Sequence, residues 1–549
     1  MVKLFTSVFA GLMSLSAFAF NPQALWETWP ESRFESTDAP CLLHAGLLKS
    51  LQALQSRYPE RIRLEEAGKS HQGRSIQLLS IGRGEKNILL WSQMHGDEPS
   101  ATPALLDIAS FLAEHADKPS IKPILDKFTL LMIPMLNPDG AEVYTRRNAQ
   151  GIDINRDALM LASPEGQILK RVRDDYEPMM GFNLHDQNRR TAVGNSGKVA
   201  NSAVLAVSGD AANTLTPGRK RTKRASAAIV EALAPFIPGG MARYDEDWSP
   251  RAFGDNITAW GTPVVLIESG GLPPGNGFAQ LTRLNFVAIL SVLQSLAHDD
   301  LAGHDPQVYE DLLRNQDNSW SDIAVRNGYV LQPGMAQAYR SDLVFDQLHR
   351  DREIAGCSFD AAPRRGGASQ IFMLGDASLH ASGQSIDATD SLLLVPFDVG
   401  ASGWPAREWL DAASLSRLTE LGVGTLYWSV SNQHYADALT HASELATRGV
   451  TRIKVVNESA ELPGVVLTGS PPAPKSTSLQ DVMTALGVDP ANNMDALQLL
   501  WLENAGGKPK PPRLRKRQAA SFLIVSPAPG GRIDFEQSRL KSVWLDGHN

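Results

Sequence analysis

Between Leu48 and Ala297 the chain alternates short, wholly apolar runs with longer amphipathic ones, the pattern of an α/β fold whose mostly parallel or mixed sheet is flanked by helices. Three runs predict buried strands: Asn87 to Ser92 (NILLWS), Phe128 to Met135 (FTLLMIPM) and Val264 to Ile267 (VVLI). Each is followed at once by polar residues with Gly or Pro, and ligands of open α/β sheets sit in the crevice beyond the carboxyl ends of strands. A helix is expected from Ser100 to Ala113, and the Gly-, Ser- and Asn-rich stretch from Asn188 to Thr216 reads as loops. Past Ser319 the pattern changes to short β-like runs, such as Gly328 to Leu331 and Ser391 to Val395, with helix-like stretches at Ala406 to Leu421 and His434 to Arg448. The charged stretch from His298 to Ser319 is the expected boundary, giving one domain over 20–300 and a C-terminal mixed α/β accessory region, rich in short strands, over 319–549.

A chain of 549 residues exceeds one ordinary hydrophobic core, which agrees with this division. Lys3, the apolar run from Leu4 to Leu15 and Ala17-Phe18-Ala19 read as a signal peptide over 1–19 and imply export to a periplasmic or extracellular space. No later stretch approaches the roughly 20 apolar residues of a spanning helix, so no integral span is expected in the mature chain. A net charge of −8 gives no reason to expect a nucleic-acid partner. The basic stretches from Arg219 to Arg224 and from Lys508 to Arg517 read as solvated face and loop. Cys41 and Cys357 either bridge or both stay buried, and their positions in the sequence do not decide between these.

The first strand leads into Met94-His95-Gly96-Asp97-Glu98-Pro99. His95 and Glu98 are good metal-ligand types, and three residues across a turn let both reach one ion. The second strand leads to Asn137-Pro138-Asp139-Gly140, then Arg146-Arg147-Asn148 and Gly151-Ile152-Asp153-Ile154-Asn155-Arg156. A further apolar run delivers His185, and Val264 to Ile267 delivers Glu268. Two imidazoles and one carboxylate leave a coordination place for water, as a hydrolytic site needs, and Glu268 remains as the base beside it.

In this order the motifs from His95 to Glu268 resemble those of the carboxypeptidase A-like zinc metallocarboxypeptidases, over about half the chain. The resemblance implies one zinc ion per chain on His95, Glu98 and His185, with Glu268 as general base. It implies Arg146, or its neighbour Arg147, at the oxyanion, and Asn155 with Arg156 gripping the free C-terminal carboxylate of a peptide substrate. The family's mobile tyrosine finds its nearest counterpart in Tyr244, and whether Asp255 faces substrate stays open. Two other activities suit the same zinc site, a cell-wall peptide amidase and an N-acyl amino acid deacylase; a noncatalytic peptide- or glycan-binding protein is the third reading. In the C-terminal half, Val325 to Gly328, Ser341 to Asp346, Ser385 to Ala388, Leu392 to Phe397 and Val543 to Gly547 look like the composite β-domain of amidohydrolases. That family's His-x-His pair is replaced after Pro396-Phe397-Asp398 by Val399-Gly400-Ala401-Ser402, so the half is expected to be a degenerate, noncatalytic accessory domain.

Overall fold

Strands covered on both faces are apolar at successive positions, and such strands form the centre of the molecule. The computed structural model describes residues 21–34, 39–244, 247–272, 277–331, 339–346, 357, 370–387 and 392–394, and strand segments at 423–430, 452–457, 465–468, 476–478, 523–527 and 532–534. The strands up to residue 316 are β1 (Ile62–Lys69), β2 (Ser75–Gly82), β3 (Lys86–Ser92), β4 (Phe128–Ile133), β5 (Met180–Asp186), β6 (Ala192–Val193), β7 (Ser202–Ala206), β8 (Met241–Arg243), β9 (Val264–Ser269) and β10 (Asn315–Gln316). One mixed sheet runs β1-β2-β4-β3-β5-β9-β7-β8, with β6 and β10 paired separately. Its centre, β4-β3-β5-β9, is parallel throughout, and the antiparallel pairings lie outside it.

The helices in this part are α1 (Pro22–Ser32), α2 (His44–Arg57), α3 (Ala101–Glu114), α4 (Lys122–Lys127), α5 (Pro138–Glu142), α6 (Pro164–Tyr176), α7 (Pro217–Leu233), α8 (Phe253–Ala259), α9 (Phe278–Ala297) and α10 (Pro306–Glu310). Alternation along the strands divides the core between two faces. Ile88 and Leu90 of β3 and Val265 and Ile267 of β9 pack with residues of α1, α2, α3, α7 and α9. Leu89, Trp91, Val264 and Leu266 point the other way, to Ile168, Leu169, Phe253 and Ile257 of α6 and α8. The strand expected to reach Met135 ends at Ile133, because Pro134 has no N–H to continue the ladder.

The stretch expected to be loops, 188–216, departs from that expectation. Ser202–Ala206 is strand β7, wholly buried between β9 and β8. Its small residues are masked in the sequence by polar flanks. The basic run from Arg219 to Arg224 is not a loop either: it lies in the first turns of α7, where Arg219 is buried.

The charged stretch after α9 is folded onto the sheet's helices. Tyr309 of α10 is fully buried, and its hydroxyl accepts a hydrogen bond from Ala206 N. Beyond it, β11 (Trp320–Leu331) joins a second, nine-stranded sheet with short strands such as Tyr339–Asp346, Gln370–Gly375 and Leu392–Leu394. The expected helices at 406–421 and 434–448, the basic stretch 508–517 and residues 1–19 lie outside the described residues. Cys41 and Cys357 form a disulfide across 316 residues.

One buried acid sits away from the carboxyl ends of the strands. Asp107 of α3 is 2% exposed and accepts hydrogen bonds from Trp29 Nε1 at 2.9 Å and Phe34 N at 2.9 Å. Burial pushes its carboxyl up to about 7, against the pull of those two donors. Between the ordinary carboxylate value, about 4, and 7 the folded chain holds a proton that the unfolded chain has released, so this group's contribution to stability falls as pH rises across that window. Asp107→Asn is expected to flatten the slope of Tm against pH from 4 to 8, whatever it does to Tm itself; an unchanged slope in a thermal-melt series counts against this role.

Candidate metal centre

Where β3 ends, the chain must turn sharply and still deliver two polar side chains to one place. Gln93 takes a left-handed φ of 49° there, unusual for a residue with a side chain. Its amide pins the turn, donating to Gly96 O at 3.0 Å and accepting from Thr102 Oγ1 at 2.8 Å. Gly96 packs against the second turn so closely that a Cβ on it would lie 2.0 Å from the Gly140 carbonyl carbon. That contact explains why the His-Gly-Asp-Glu and Asn-Pro-Asp-Gly turns occur together: each shapes the other. The second turn is braced by Asn137, whose Oδ1 caps α5 at Gly140 N, and by buried Asp139, which accepts from Ser70, Gln72 and Arg74.

His185 arrives from the neighbouring strand, and Glu268 from the next. In the parallel pairing of β5 with β9, His185 and Glu268 are register partners, so their side chains emerge side by side at the carboxyl ends. Glu268 is buried in its turn by a close approach behind it, since a Cβ on Gly270 would lie 1.8 Å from Ala200 O.

The ligand atoms of His95, Glu98 and His185 lie within 4.8 Å of one another, in side chains all largely buried. Glu98 spans the two rings, with Oε1 2.7 Å from His95 Nδ1 and Oε2 2.6 Å from His185 Nδ1. The two Nδ1 atoms are 3.2 Å apart. Two nitrogens held by one tetrahedral zinc at about 2.0–2.1 Å lie about 3.4 Å apart, so the spacing suits that ion. Second contacts select the lone pair that faces inward. His95 Nε2 lies 3.2 Å from Asp153 Oδ1, an acid that favours a proton on Nε2, so Nδ1 is the ring nitrogen turned to the cluster. His95, Glu98 and His185 thus present convergent ligand atoms of the kinds a divalent metal takes, and the donor set fits such an ion.

Electrostatics follow the same geometry. Burial pushes the Glu98 carboxyl up, but the charges and hydrogen bonds of His95 and His185 outweigh it and hold the group well below its ordinary value. Asp153 is likewise lowered: burial raises it, and the bond to His95 and the charge of Arg146 prevail. Burial dominates at His185 and pushes its imidazole down, towards the neutral form that can ligate a metal. Glu268 is pushed upward, first by burial and then by the negative charges of Glu98 and Asp186. Asp186 also accepts from Ser100 N and Oγ at the start of α3, while its own N–H reaches Glu98 Oε2 at 3.3 Å.

Of the two adjacent arginines, Arg146 faces the centre. Its Nη1 is 3.2 Å from Glu98 Oε1 and its Nε donates to Asp153 Oδ2 at 3.0 Å, whereas Arg147 turns away to Gly151 O. Asn155 is buried and accepts from Phe253 N at the start of α8; Arg156 is exposed, bonded to Asn155 O. Asp255, in the first turn of α8, is raised to about 6, chiefly by burial, and accepts from Ser249 N at 2.8 Å. Tyr244 is anchored by its backbone, with N–H to Val204 O, and its phenol is raised first by the charge of Glu268. The segment after α10 closes on the same mouth. Asn315 bonds Gln187, Asp317 accepts from Thr191, and β10 pairs with β6. Asp153 and this returning segment escaped the sequence reading. The Gly-x-Asp-x-Asn-Arg spacing held the signal for Asp153, but the return of 315–317 has no local signal.

Fold and site together define a class: an α/β protein with a two-histidine, one-carboxylate metal centre at the ends of parallel strands. Parts of the chain are similar to known proteins. Residues 47–183 match the family described as zinc carboxypeptidase, peptidase M14. Carboxypeptidase 2 of Trichophyton rubrum is 28% identical over 140 residues, 24% of this chain and 26% of that protein. Metallocarboxypeptidase A of Arthroderma otae is 35% identical over 130 residues, 20% of this chain and 31% of that protein. These stretches span less than a third of the relatives' length. A metallo-carboxypeptidase structure from Burkholderia cenocepacia aligns with TM-score 0.38 and 20% identity, over 47% of this chain and 68% of that one.

Removing the acid behind His95 tests the centre. Asp153→Asn is expected to weaken zinc binding about 10–100-fold in a competitive chelator titration while circular dichroism stays unchanged. Unaltered affinity means that the imidazole is oriented by something else.

Proposed function

We propose that the protein is an exported, zinc-dependent metallocarboxypeptidase that hydrolyses the C-terminal bond of peptides. The observation that carries this reading is the placement of Glu268, a buried carboxylate with a raised proton affinity, as register partner of the ligand His185. His95, Glu98 and His185 would hold one zinc ion, which when bound supplies positive charge to the scissile carbonyl and acidifies the attacking water. Glu268 takes the proton from that water and returns it to the leaving nitrogen, a task suited to a carboxyl that burial has made a better base. Arg146 brings its guanidinium to the ligands, where it is placed to favour negative charge on the carbonyl oxygen. Tyr244, whose phenol feels the charge of Glu268, is the candidate for the substrate-closing tyrosine.

Arg156 gives the reading its exopeptidase character. It is exposed and keeps donors for a substrate carboxylate, which a guanidinium binds bidentately without losing its charge. Buried Asn155 sets its position by fastening the loop to α8. Export is supported by the apolar run from Leu4 to Leu15 with Ala17-Phe18-Ala19, and by the Cys41–Cys357 disulfide, a bond characteristic of oxidising compartments.

Glu268→Gln is expected to lower kcat by about 10²–10⁴-fold on a peptide substrate while metal analysis still finds zinc bound; a fully active variant removes the base assignment. Arg156→Gln is expected to raise KM for a peptide with a free C-terminal carboxylate by roughly tenfold. Equal cleavage of free and C-amidated peptides by the unaltered enzyme is incompatible with an exopeptidase.

A further inference from the structure

A second concavity lies at the opposite end of the central strands. Its lining includes Lys86 at the start of β3, Phe128 at the start of β4 and Met179 just before β5, whereas His95 and His185 lie at or beyond the other ends. The seven residues of β3 put about 20 Å between the two places. The cavity measures about 470 Å³, a size suited to a small ligand.

Its charge is opposite to that of the chain as a whole. The protein carries −8, yet Lys86, Lys127, Lys220, Arg221 and Arg224 line this cavity against a single carboxylate, Asp299. That carboxylate is already engaged by Lys127 at 2.5 Å, and Lys127 also donates to Leu296 O at the end of α9. Arg221 is steadied by Met179 O at 3.0 Å. The other three cations have no such partner: Lys86 and Lys220 are exposed and make no ion pair among the described residues, and Arg224 Nε is buried without a hydrogen bond.

Helix phase explains how the cations converge. Pro217, Lys220, Arg221 and Arg224 recur at i, i+3, i+4 and i+7 on one face of α7. The other basic residues of this run are committed elsewhere, Arg219 inward to Asn213 O and Lys223 to Glu310. The stripe is therefore a directed cluster and not a uniformly solvated surface.

We propose that this cavity binds a compact polyanion carrying two or more phosphate or sulfate groups, independently of the metal centre. Five convergent cations match closely spaced charges, and the ammonium groups of Lys86 and Lys220 act as mobile point charges around the more fixed guanidinium groups of Arg221 and Arg224. The same chemistry is offered by a soluble polyphosphate and by a phosphate headgroup at a membrane surface.

Calorimetric titration of the zinc-loaded full chain with inorganic pyrophosphate, and co-sedimentation with phosphatidic acid vesicles against pure phosphatidylcholine vesicles, separate these sources. Saturable pyrophosphate binding that weakens about tenfold or more in Lys86→Gln/Lys220→Gln supports the proposal with a soluble ligand. Sedimentation with phosphatidic acid vesicles alone, lost in the same variant, supports it with a headgroup. Peptide hydrolysis is expected to be unchanged in the variant, showing that it remains folded. Absence of binding in both assays, or binding unaffected by the double substitution, overturns the proposal.

Discussion

A carboxylate and two imidazoles buried at one point call for positive charge beside them, and Arg146 brings one such charge to Glu98 and His95. Glu98 brackets both rings, and Asp153 at His95 Nε2 turns Nδ1 to face the bracket. Much of the surrounding structure serves to keep these atoms together: a left-handed Gln93, a backbone contact at Gly96 that excludes any side chain, and the N–H of Asp186 on Glu98. Unpaired charge in a low-dielectric site is costly, so each of these constraints is a means of confining that cost to one place.

The parallel centre of the sheet converts this local demand into a site for chemistry. Adjacent parallel strands carry their side chains in step, so β5 and β9 deliver His185 and Glu268 at the same level. The helices on the two faces remove water from the strands but leave the carboxyl ends open. There the connecting segments, including the return at 315–317, build the walls.

The parts visible in the sequence were those with local periodicity or an unusual residue combination. β3, β4 and β9 announce themselves as apolar runs, and His95, Glu98, His185 and Glu268 each follow a strand at once. β7 was hidden because SAVLA is short, small and flanked by loop-like composition; only its place between β9 and β8 buries it. The basic run in α7 reads as solvated face and loop because charge alone carries no phase; the helix sorts Lys220, Arg221 and Arg224 from Arg219 and Lys223. Pairing of 315–316 with 192–193 is a contact between distant segments and has no signature in either.

The bond between Cys41 and Cys357 encloses the metal-centre residues and the whole returning segment within one covalent ring. A single proteolytic cut anywhere inside that ring would open it without separating the pieces. Such a closure lets one severed peptide bond be survived, as long as the surroundings remain oxidising.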